Sequence, residues 1–259
     1  MPPREATKVF AQLPCAALRP FVRRFLVVEH TGPRADSHLP GTGLVAAFQI
    51  RGQCRLGTGE DAPSAAVTGL FDQVRHHAHS RGNTVVLTAF TSTGAAVFLR
   101  HSLDELANTT APLGKFIGDA ASLAHLNEQL AEAPNHARRV RRLEDFLLTR
   151  IDPARADPLV RAAVAWIERA PPSARIGELV RYIGLSQSAL ERRFRRIVGA
   201  TPKRFASLVR LQRIQRLRSA GGSLTTLAHA AGYFDQAHFT HDFRRMTGVA
   251  PEAYFAAAG

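Results

Sequence analysis

The C-terminal part of the chain contains an internal repeat, which restricts its fold more than any other feature of the sequence. The segments SQSALERRFRRIVGATP (186–202) and DQAHFTHDFRRMTGVAP (235–251) align at an offset of 49 residues, with Phe-Arg-Arg, Gly and Pro at matching positions. Each starts with a residue that caps helix N-termini, Ser186 or Asp235. Each ends with a Gly suited to the left-handed position after a helix and a Pro suited to the next helix start. The repeat therefore predicts two equivalent capped helices.

A short segment before each capped helix completes a larger pattern. ELVRYIG and TLAHAAG both place a Gly five residues after a Leu, from Leu179 to Gly184 and from Leu227 to Gly232. A helix, a glycine-containing turn and a second helix form the helix-turn-helix unit, in which small side chains permit close helix approach. The sequence therefore predicts two such units.

The segment between the two units predicts a single long helix. PKRFASLVRLQRIQRLRSAGG has apolar residues at three-residue steps from Phe205 to Leu217 and ends in Gly221-Gly222. Such a helix of about 17 residues is ~25 Å long at 1.5 Å per residue. Successive major-groove segments on one face of a DNA duplex recur every ~34 Å. A rod of this length favours two units that contact one side of a duplex.

The positive charge of the chain is concentrated in the same region. Residues 158–259 contain 16 Lys and Arg against 6 Asp and Glu, a net charge of +10 out of +13 for the whole chain. A basic C-terminal third joined to a nearly neutral remainder favours a polyanionic partner, although basic surfaces also serve membranes. Together with the paired units, the charge favours double-stranded DNA.

The N-terminal part has a different pattern. Between residues 21 and 98, short segments rich in Val, Phe and Thr alternate with turns that contain Gly, Pro, Asn and Asp. This spacing is typical of an antiparallel barrel or sandwich. From residue 123 to 151 the pattern becomes helical, and IDPARADP reads as a boundary because it contains two prolines.

One helix of this connecting region is amphipathic. ARRVRRLEDFLLTRI places Val140, Leu143, Phe146, Leu147 and Ile151 on one apolar stripe. The stripe packs either on the N-terminal strands of the same chain or on a second copy of the protein. The sequence leaves these two alternatives open.

The two repeated regions resemble a known family. LVRYIGLSQSALERRFRRIVGATPKRF and LAHAAGYFDQAHFTHDFRRMTGVAPEAYF are similar to the double helix-turn-helix domain of AraC/XylS bacterial transcription regulators, with departures at Tyr233, His241 and Ala250. The resemblance implies an α+β protein: an N-terminal antiparallel β-barrel (cupin-like), a helical linker, and a C-terminal all-α double helix-turn-helix domain. We expect the barrel as a sensor or oligomerisation domain over 1–120, the linker over 121–157 and the DNA-binding domain over 158–259.

Candidate DNA contacts follow from the helix period and the resemblance. The period assigns Leu190, Phe194 and Ile197, and Phe239, Phe243 and Met246, to the core. Arg pairs with guanine, Gln with adenine, Glu with the cytosine amino group, and Ala or Thr methyls with thymine. The predicted DNA-binding residues are Gln187, Ser188, Glu191, Arg192, Arg195, Arg196, Lys203, Arg204, Gln236, Ala237, His238, Thr240, His241, Arg244 and Arg245. The resemblance places Ser188, Glu191, Arg192, Gln236, Ala237, Thr240 and His241 at base-facing positions; Arg196, Lys203, Arg204, Arg210, Arg213 and Arg245 are interpreted as phosphate contacts or solvated charge.

The resemblance also implies partners. If this chain is similar to that family in its partners as well, we expect it to work as a homodimer, to contact RNA polymerase and to hold a small-molecule effector in the N-terminal barrel. Two alternatives stay open: a DNA-binding protein whose barrel only dimerises or meets a protein partner, and a metal-binding cupin-type protein with an accessory DNA-binding domain.

Other chemistry has weaker support. His76, His77 and His79 in RHHAHS offer metal-ligand types, but no carboxylate or thiol accompanies them in the sequence, so we predict a polar surface loop and no metal. GxGxxG, GxSxG and Walker A patterns are absent, so no cofactor and no catalytic residue is predicted. Cys15 and Cys54 lack metal-binding spacing. No run of ~18 apolar residues and no secretory signal is found, and we expect a cytoplasmic protein with no membrane association.

Overall fold

The N-terminal half of the chain is built from short strands. In this computed structural model, the structure describes residues 7–171, 174–219, 228, 231–233 and 235–257. Within these residues the strands are β1 (Thr7–Gln12), β2 (Val22–His30), β3 (Arg34–His38), β4 (Val45–Arg51), β5 (Cys54–Leu56), β6 (Ala65–Thr68), β7 (Arg75–His79), β8 (Thr84–Phe90) and β9 (Thr110–Pro112). The Val- and Phe-rich segments become strands because branched and aromatic side chains pack well on a pleated surface.

These strands form two antiparallel sheets in the part of the chain that the structure describes. The larger has the order β1-β2-β8-β4-β6-β9, and the smaller has the order β3-β7-β5. Alternate residues of the central strands, such as Phe25, Phe48 and Val86, are buried in the core. The predicted α+β class and antiparallel pairing are confirmed, but the hydrogen-bonded strands do not close into one barrel; the sheets face each other across a cavity.

Helices follow the strands. Those described are α1 (Leu113–Ile117), α2 (Ala120–Glu132), α3 (His136–Leu148), α4 (Pro158–Arg169), α5 (Ile176–Ile183), α6 (Gln187–Val198), α7 (Pro202–Ser219), α8 (Gln236–Thr247) and α9 (Pro251–Ala257). Single 3-10 turns lie at Gly94–Val97, Leu103–Leu106 and Pro153–Arg155. No described helix combines the length and the apolarity needed to cross a bilayer.

The amphipathic helix α3 buries its apolar stripe within its own chain. Val140, Leu143 and Leu147 are buried, and Phe146 and Ile151 pack against the same core. The helix lies against α2 and β1. Of the two alternatives left open by the sequence, the structure shows packing on the N-terminal half.

The N-cap predicted at Ser186 and the glycines predicted to end both repeated helices are present, whereas the N-cap predicted at Asp235 remains a prediction. The Ser186 hydroxyl accepts a hydrogen bond from the Ala189 backbone N–H at the start of α6. Gly184 and Gly199 end α5 and α6 in the left-handed conformation, and Gly248 does the same after α8, because a residue without a Cβ adopts positive φ at low cost. The first helix of the second unit, including Leu227, lies mostly outside the described residues.

The hydrophobic core divides inside α7. Among the described residues, one cluster runs from the sheets through the helices of the first helix-turn-helix unit and ends at Val209. A second, smaller cluster comprises Leu211, Ile214, Ala228, Ala231, Tyr233, Phe239, Phe243 and Met246. The long helix therefore contributes to both cores. The domain limits predicted at residues 120 and 157 remain predictions.

Candidate DNA-binding surface and the cavity between the sheets

Helix α6 presents a polar face to solvent. Leu190, Phe194 and Ile197 are buried, which confirms the stripe that the helix period assigned to the core. Of the residues predicted to face outward, four are exposed: Gln187, Ser188, Arg192 and Arg195. The fifth, Glu191, is partly buried. The Glu191 carboxylate accepts a hydrogen bond from Gln187 Nε2 at 3.1 Å and lies 3.9 Å from Arg195 Nη2.

Helix α8 repeats this arrangement. Phe239, Phe243 and Met246 are buried, again as the helix period predicts. Gln236, Ala237, His241 and Arg244 are exposed, and Thr240 is partly buried. His238 lies within the helix, but its side chain is outside the described part of the structure.

Tyr233, Asp242 and Arg245 form a hydrogen-bonded group that stabilises α8. The Asp242 carboxylate accepts hydrogen bonds from Tyr233 Oη at 3.0 Å and from Arg245 Nη2 at 2.6 Å. Burial alone would raise the pKa of Asp242, but these bonds outweigh it and hold the pKa below its usual range. Arg245 remains about half exposed, so its role as a phosphate contact is compatible with this bracing.

Several cations interpreted as phosphate contacts have partners within the chain. Arg204 Nη2 lies 3.3 Å from the Asp72 carboxylate and donates to Asn108 Oδ1 at 2.9 Å. Arg213 Nη2 donates to the backbone carbonyls of Glu168 and Ala170. Arg210 lies over the Tyr233 ring at 5.6 Å. Lys203 is exposed, and Arg196 is exposed although it lies 3.7 Å from Asp157.

The first unit is docked on the N-terminal half. Helix α6 packs on the 3-10 turn Leu103–Leu106, and a Cβ built on Gly199 would lie 2.8 Å from the Leu103 carbonyl oxygen. The buried Asp157 carboxylate caps α4 and lies 3.5 Å from Arg193 Nη1. The close contact of Gly199 with the Leu103 backbone and the buried Asp157 carboxylate thus hold the first unit against the N-terminal half.

Within the part of the second unit that the structure describes, fewer bonds reach the N-terminal half. We call residues 70–75, which lead from β6 into the first residue of β7, the linking segment. The Val74 backbone N–H donates to the Met246 carbonyl of α8 at 2.8 Å. Near the middle of α7, Thr42 Oγ1 donates to Gln212 Oε1 at 3.3 Å.

Strand β7 corrects one prediction from the sequence. RHHAH is a strand, not a surface loop, and its alternation turns Arg75, His77 and His79 toward the space between the sheets, while His76 and Ala78 are exposed. The resulting cavity has a volume of about 190 Å³. Its surface is mostly apolar, although apolar and polar residues line it in similar numbers. The lining comes from both sheets: Val28, His30, Asp36, His38, Val45, Ala47, Gln49, Cys54, Leu56, Ala62, Pro63, Ala66, Thr68, Arg75, His77, His79, Val85, Leu87 and Thr110. A period-two reading of RHHAH would have placed these side chains on one face.

Three cavity residues have the ligand types of a metal site. His30 Nε2 and His79 Nε2 each lie 3.9 Å from Asp36 Oδ2. Of the histidines named from the sequence, only His79 takes part. Ligands around tetrahedral zinc lie roughly 3.4 Å apart, given bonds of about 2.0–2.2 Å, so the cluster is wider than that shell. The other oxygen of Asp36 accepts a hydrogen bond from Arg34 Nε at 2.5 Å.

Arg75 is the charged group of the cavity without a counter-ion. No described carboxylate lies within ion-pair distance of it, and its guanidinium lies 4.7 Å from the centre of the Phe71 ring. Burial lowers the pKa of Arg75 to about 10. Burial and, next, the charge of Arg75 lower the pKa of His77 to about 3, so His77 is neutral near pH 7.

Comparisons with known proteins concern mainly the C-terminal region. A family model described as a helix-turn-helix domain matches residues 179–257. The activator RhaS of Pectobacterium carotovorum subsp. carotovorum is 31% identical over 96 residues, which cover 36% of this chain and 34% of RhaS. A putative AraC-like transcription regulator of Streptomyces antibioticus is 32% identical over 101 residues, which cover 38% of this chain and 33% of that protein.

Among solved structures, ToxT from Vibrio cholerae aligns with 96% of this chain and 97% of its own, at 11% identity and a TM-score of 0.46. The match to the curated relatives spans about a third of their length. The family-model match lies over the region of the two helix-turn-helix units, whose buried stripes are described above. Residues 179–257 match a helix-turn-helix domain, and part of this chain is similar in sequence to a putative AraC-like transcription regulator.

Proposed function

We propose that the protein is a sequence-specific DNA-binding transcription regulator. Helices α6 and α8 enter successive major grooves on one side of a duplex, and the N-terminal half modulates this activity. The observation that carries the proposal is the shared geometry of α6 and α8. Both bury one apolar stripe and leave polar side chains suited to base edges exposed, and α7 connects the two units.

The proposed contacts divide into two classes. Ser188, Glu191 and Arg192 of α6 face bases in one groove. Gln236, Ala237, Thr240 and His241 of α8 face bases in the next groove, flanked by His238. Gln187, Arg195, Arg196, Lys203, Arg244 and Arg245 contact the backbone, where positive charge fixes position without reading sequence. Arg204 belongs to this class only when it leaves Asp72.

The partners of the whole protein are part of the proposal. It acts on chromosomal DNA in the cytoplasm, contacts RNA polymerase, works as a homodimer and responds to a small effector held by the N-terminal half. The dimer uses a surface other than the apolar stripe of α3, because that stripe is buried in its own chain. The name of the relative RhaS describes it as an activator.

Binding measurements with matched variants test the proposal. A duplex enriched from a random pool on the full chain serves as the specific site, and a scrambled duplex serves as the reference. Arg192→Ala is expected to weaken specific binding by about 1–3 kcal/mol and to change binding to the scrambled duplex little. Arg141→Ala on α3 removes the same charge from an exposed position outside both units and is the control.

Two results would contradict this account. Equal losses on both duplexes for Arg192→Ala would make this residue a phosphate contact instead of a base reader. A complex whose affinity did not fall with salt would exclude DNA as the partner, since each neutralised phosphate contributes about −0.9 to the slope of log K against log salt.

A further inference from the structure

The cavity between the sheets contains an uncompensated positive charge. The guanidinium of Arg75 lines it, and among the described residues no carboxylate reaches that guanidinium. Arg75 is partly buried, and its guanidinium lies 4.7 Å from the centre of the Phe71 ring. A partly desolvated cation without a counter-ion attracts an anion. The cavity therefore offers an anion a positive charge that no described carboxylate neutralises.

The remainder of the lining defines the rest of the ligand. Val28, Val45, Leu56, Val85 and Leu87 make the wall largely apolar. A cavity of about 150 Å³ lined by apolar side chains accommodates benzene in an engineered protein, so about 190 Å³ accommodates a ring-sized body together with one carboxylate. An apolar pocket with a few convergent polar groups is the usual form of a small-molecule site.

We propose that this cavity binds a small monocarboxylic acid with an apolar body, whose carboxylate pairs with Arg75, and that the linking segment couples its binding to the second helix-turn-helix unit. The coupling rests on the proposed DNA-binding function, whereas the binding of the acid does not. Arg and carboxylate groups form two parallel hydrogen bonds, which makes this pair the strongest available at the site.

The linking segment provides a short route from the cavity to DNA. Arg75 is its last residue and faces the cavity, while the adjacent Val74 donates its N–H to Met246 of α8. Asp72 lies 3.3 Å from Arg204 of α7. A ligand that repositions Arg75 therefore shifts the linking segment, which contacts α7 through Asp72 and α8 through Val74. Any such effect is reciprocal, since two ligands linked through one protein change each other's affinity by the same factor.

An anion fits the cavity better than a metal cation. Asp36 is the one carboxylate among the lining residues that the structure describes, and one of its oxygens is bonded to Arg34. The positive charge of Arg75 opposes a cation in the same small volume. A cation held by His30, Asp36 and His79 is the competing outcome of the test.

Calorimetry and thermal unfolding on the full chain test the ligand class. The probes are benzoate, cyclohexanecarboxylate and hexanoate, each against its uncharged amide. We expect at least one acid to bind and raise Tm, its amide to bind at least tenfold more weakly, and Arg75→Gln to lose the acid by at least tenfold. His76→Gln changes the exposed face of the same strand and is expected to bind like wild type.

The opposite results overturn this part. They are amides that bind as well as acids, acids that bind Arg75→Gln as well as wild type, or acids that do not bind at all. Stoichiometric zinc in the purified chain that is lost in His30→Gln would assign the cavity to a cation and would also overturn it.

The coupling is tested with the acid that binds best. Saturating acid is expected to change the Kd for the specific duplex at least threefold in wild type and less than 1.5-fold in Val74→Pro, which lacks the N–H that is donated to Met246. Acid affinity itself is expected to be unchanged in that variant. An unchanged Kd in wild type overturns the coupling. If the chain bound no DNA, the proposed function would fail while the calorimetric result for the cavity would stand.

Discussion

The two helix-turn-helix units have nearly the same sequence pattern and very different surroundings. The first unit shares one core with the sheets and with α1 to α4. The second has a small core of its own, whose described members begin at Leu211. Among the described residues, few bonds, such as that from Val74 to Met246, connect it to the N-terminal half. The first unit therefore shares the core of the N-terminal half, whereas the second unit has a separate core and is connected to the rest mainly by individual hydrogen bonds.

This difference has a functional reason within the proposed mechanism. A unit that belongs to the body cannot move without disturbing a large core, whereas a unit with few cross-contacts reorients at low cost. We therefore expect the proposed control by the N-terminal half to act through α8. The first unit is better suited to supply a fixed reference on the DNA.

The largest expected effect comes from truncating one side chain of each core along α7. Leu208 belongs to the first core and Leu211 to the second, and both are fully buried. Leu211→Ala is expected to weaken the second unit by about 3 kcal/mol, roughly a hundredfold loss of amide protection in α8. Hydrogen exchange monitored by mass spectrometry measures this loss.

The matched variant decides whether the cores are separate. Protection in α6 and in the strands should remain unchanged in Leu211→Ala, because their core does not include that side chain. Leu208→Ala should lower protection in α6 by a similar factor. If Leu211→Ala lowered protection equally in all regions, the second unit would unfold only with the whole chain.

The two glycines that end α6 and α8 give the next test. Gly199 and Gly248 both have φ of 81°. Ala at either position carries the strain of a left-handed residue, about 1–2 kcal/mol. At Gly199 the new Cβ would also lie 2.8 Å from the Leu103 carbonyl oxygen, whereas no described atom lies within 4 Å of it at Gly248. Gly199→Ala should therefore cost about 1–3 kcal/mol more than Gly248→Ala in urea unfolding. Equal costs would show that the first unit is not docked on the 3-10 turn in solution.

Local features of these units could be predicted from sequence, whereas their docking could not. The N-cap at Ser186, the left-handed glycines and the buried stripe through Phe194 follow from short-range chemistry, and the structure confirms them. The contact of Gly199 with Leu103 joins residues nearly a hundred positions apart. No local pattern distinguishes Gly199 from Gly248, so only the fold reveals that one is covered and the other is open.

The same limit applied to the cavity. The sequence indicated that the N-terminal strands form a barrel or sandwich, but it did not indicate which strands face each other. His30 and Asp36 join His79 only because β2, β3 and β7 come together across the two sheets. Arg75 could have been identified from the alternation of RHHAH. That Arg75 lacks a carboxylate partner depends on residues distant in sequence, so it could not be predicted from the sequence.

The pH dependence of stability gives a third comparison between the N-terminal half and the second unit. The folded chain keeps His77 neutral down to a pKa of about 3, because of burial and the charge of Arg75, while His38, His79 and Asp36 also face it. The unfolded chain protonates it near pH 6.5. The unfolded state therefore binds more protons, and the free energy of unfolding should fall as pH falls from about 6.5 toward about 3. The slope from this group is at most about 1.4 kcal/mol per pH unit, and smaller because His77 is partly exposed.

Unfolding by urea at several pH values checks this slope. His77→Gln should flatten it, because Gln does not titrate. His241→Gln, at an exposed position of α8, should leave it unchanged. If the slope were the same in all three proteins, protonation of His77 would not be linked to unfolding.

The smallest expected effect concerns two neighbouring cations at the start of α7. Lys203 is exposed, whereas Arg204 is held by Asp72 and Asn108 of the N-terminal half. If the first unit stays docked on DNA, Lys203→Gln should reduce the salt slope of DNA binding by about 0.9, and Arg204→Gln should leave it unchanged. Anisotropy titrations at several salt concentrations measure both slopes. An equal reduction in Arg204→Gln would mean that this guanidinium leaves Asp72 for a phosphate. The first unit would then undock when DNA binds, and the contrast between a fixed and a movable unit would hold only for the free protein.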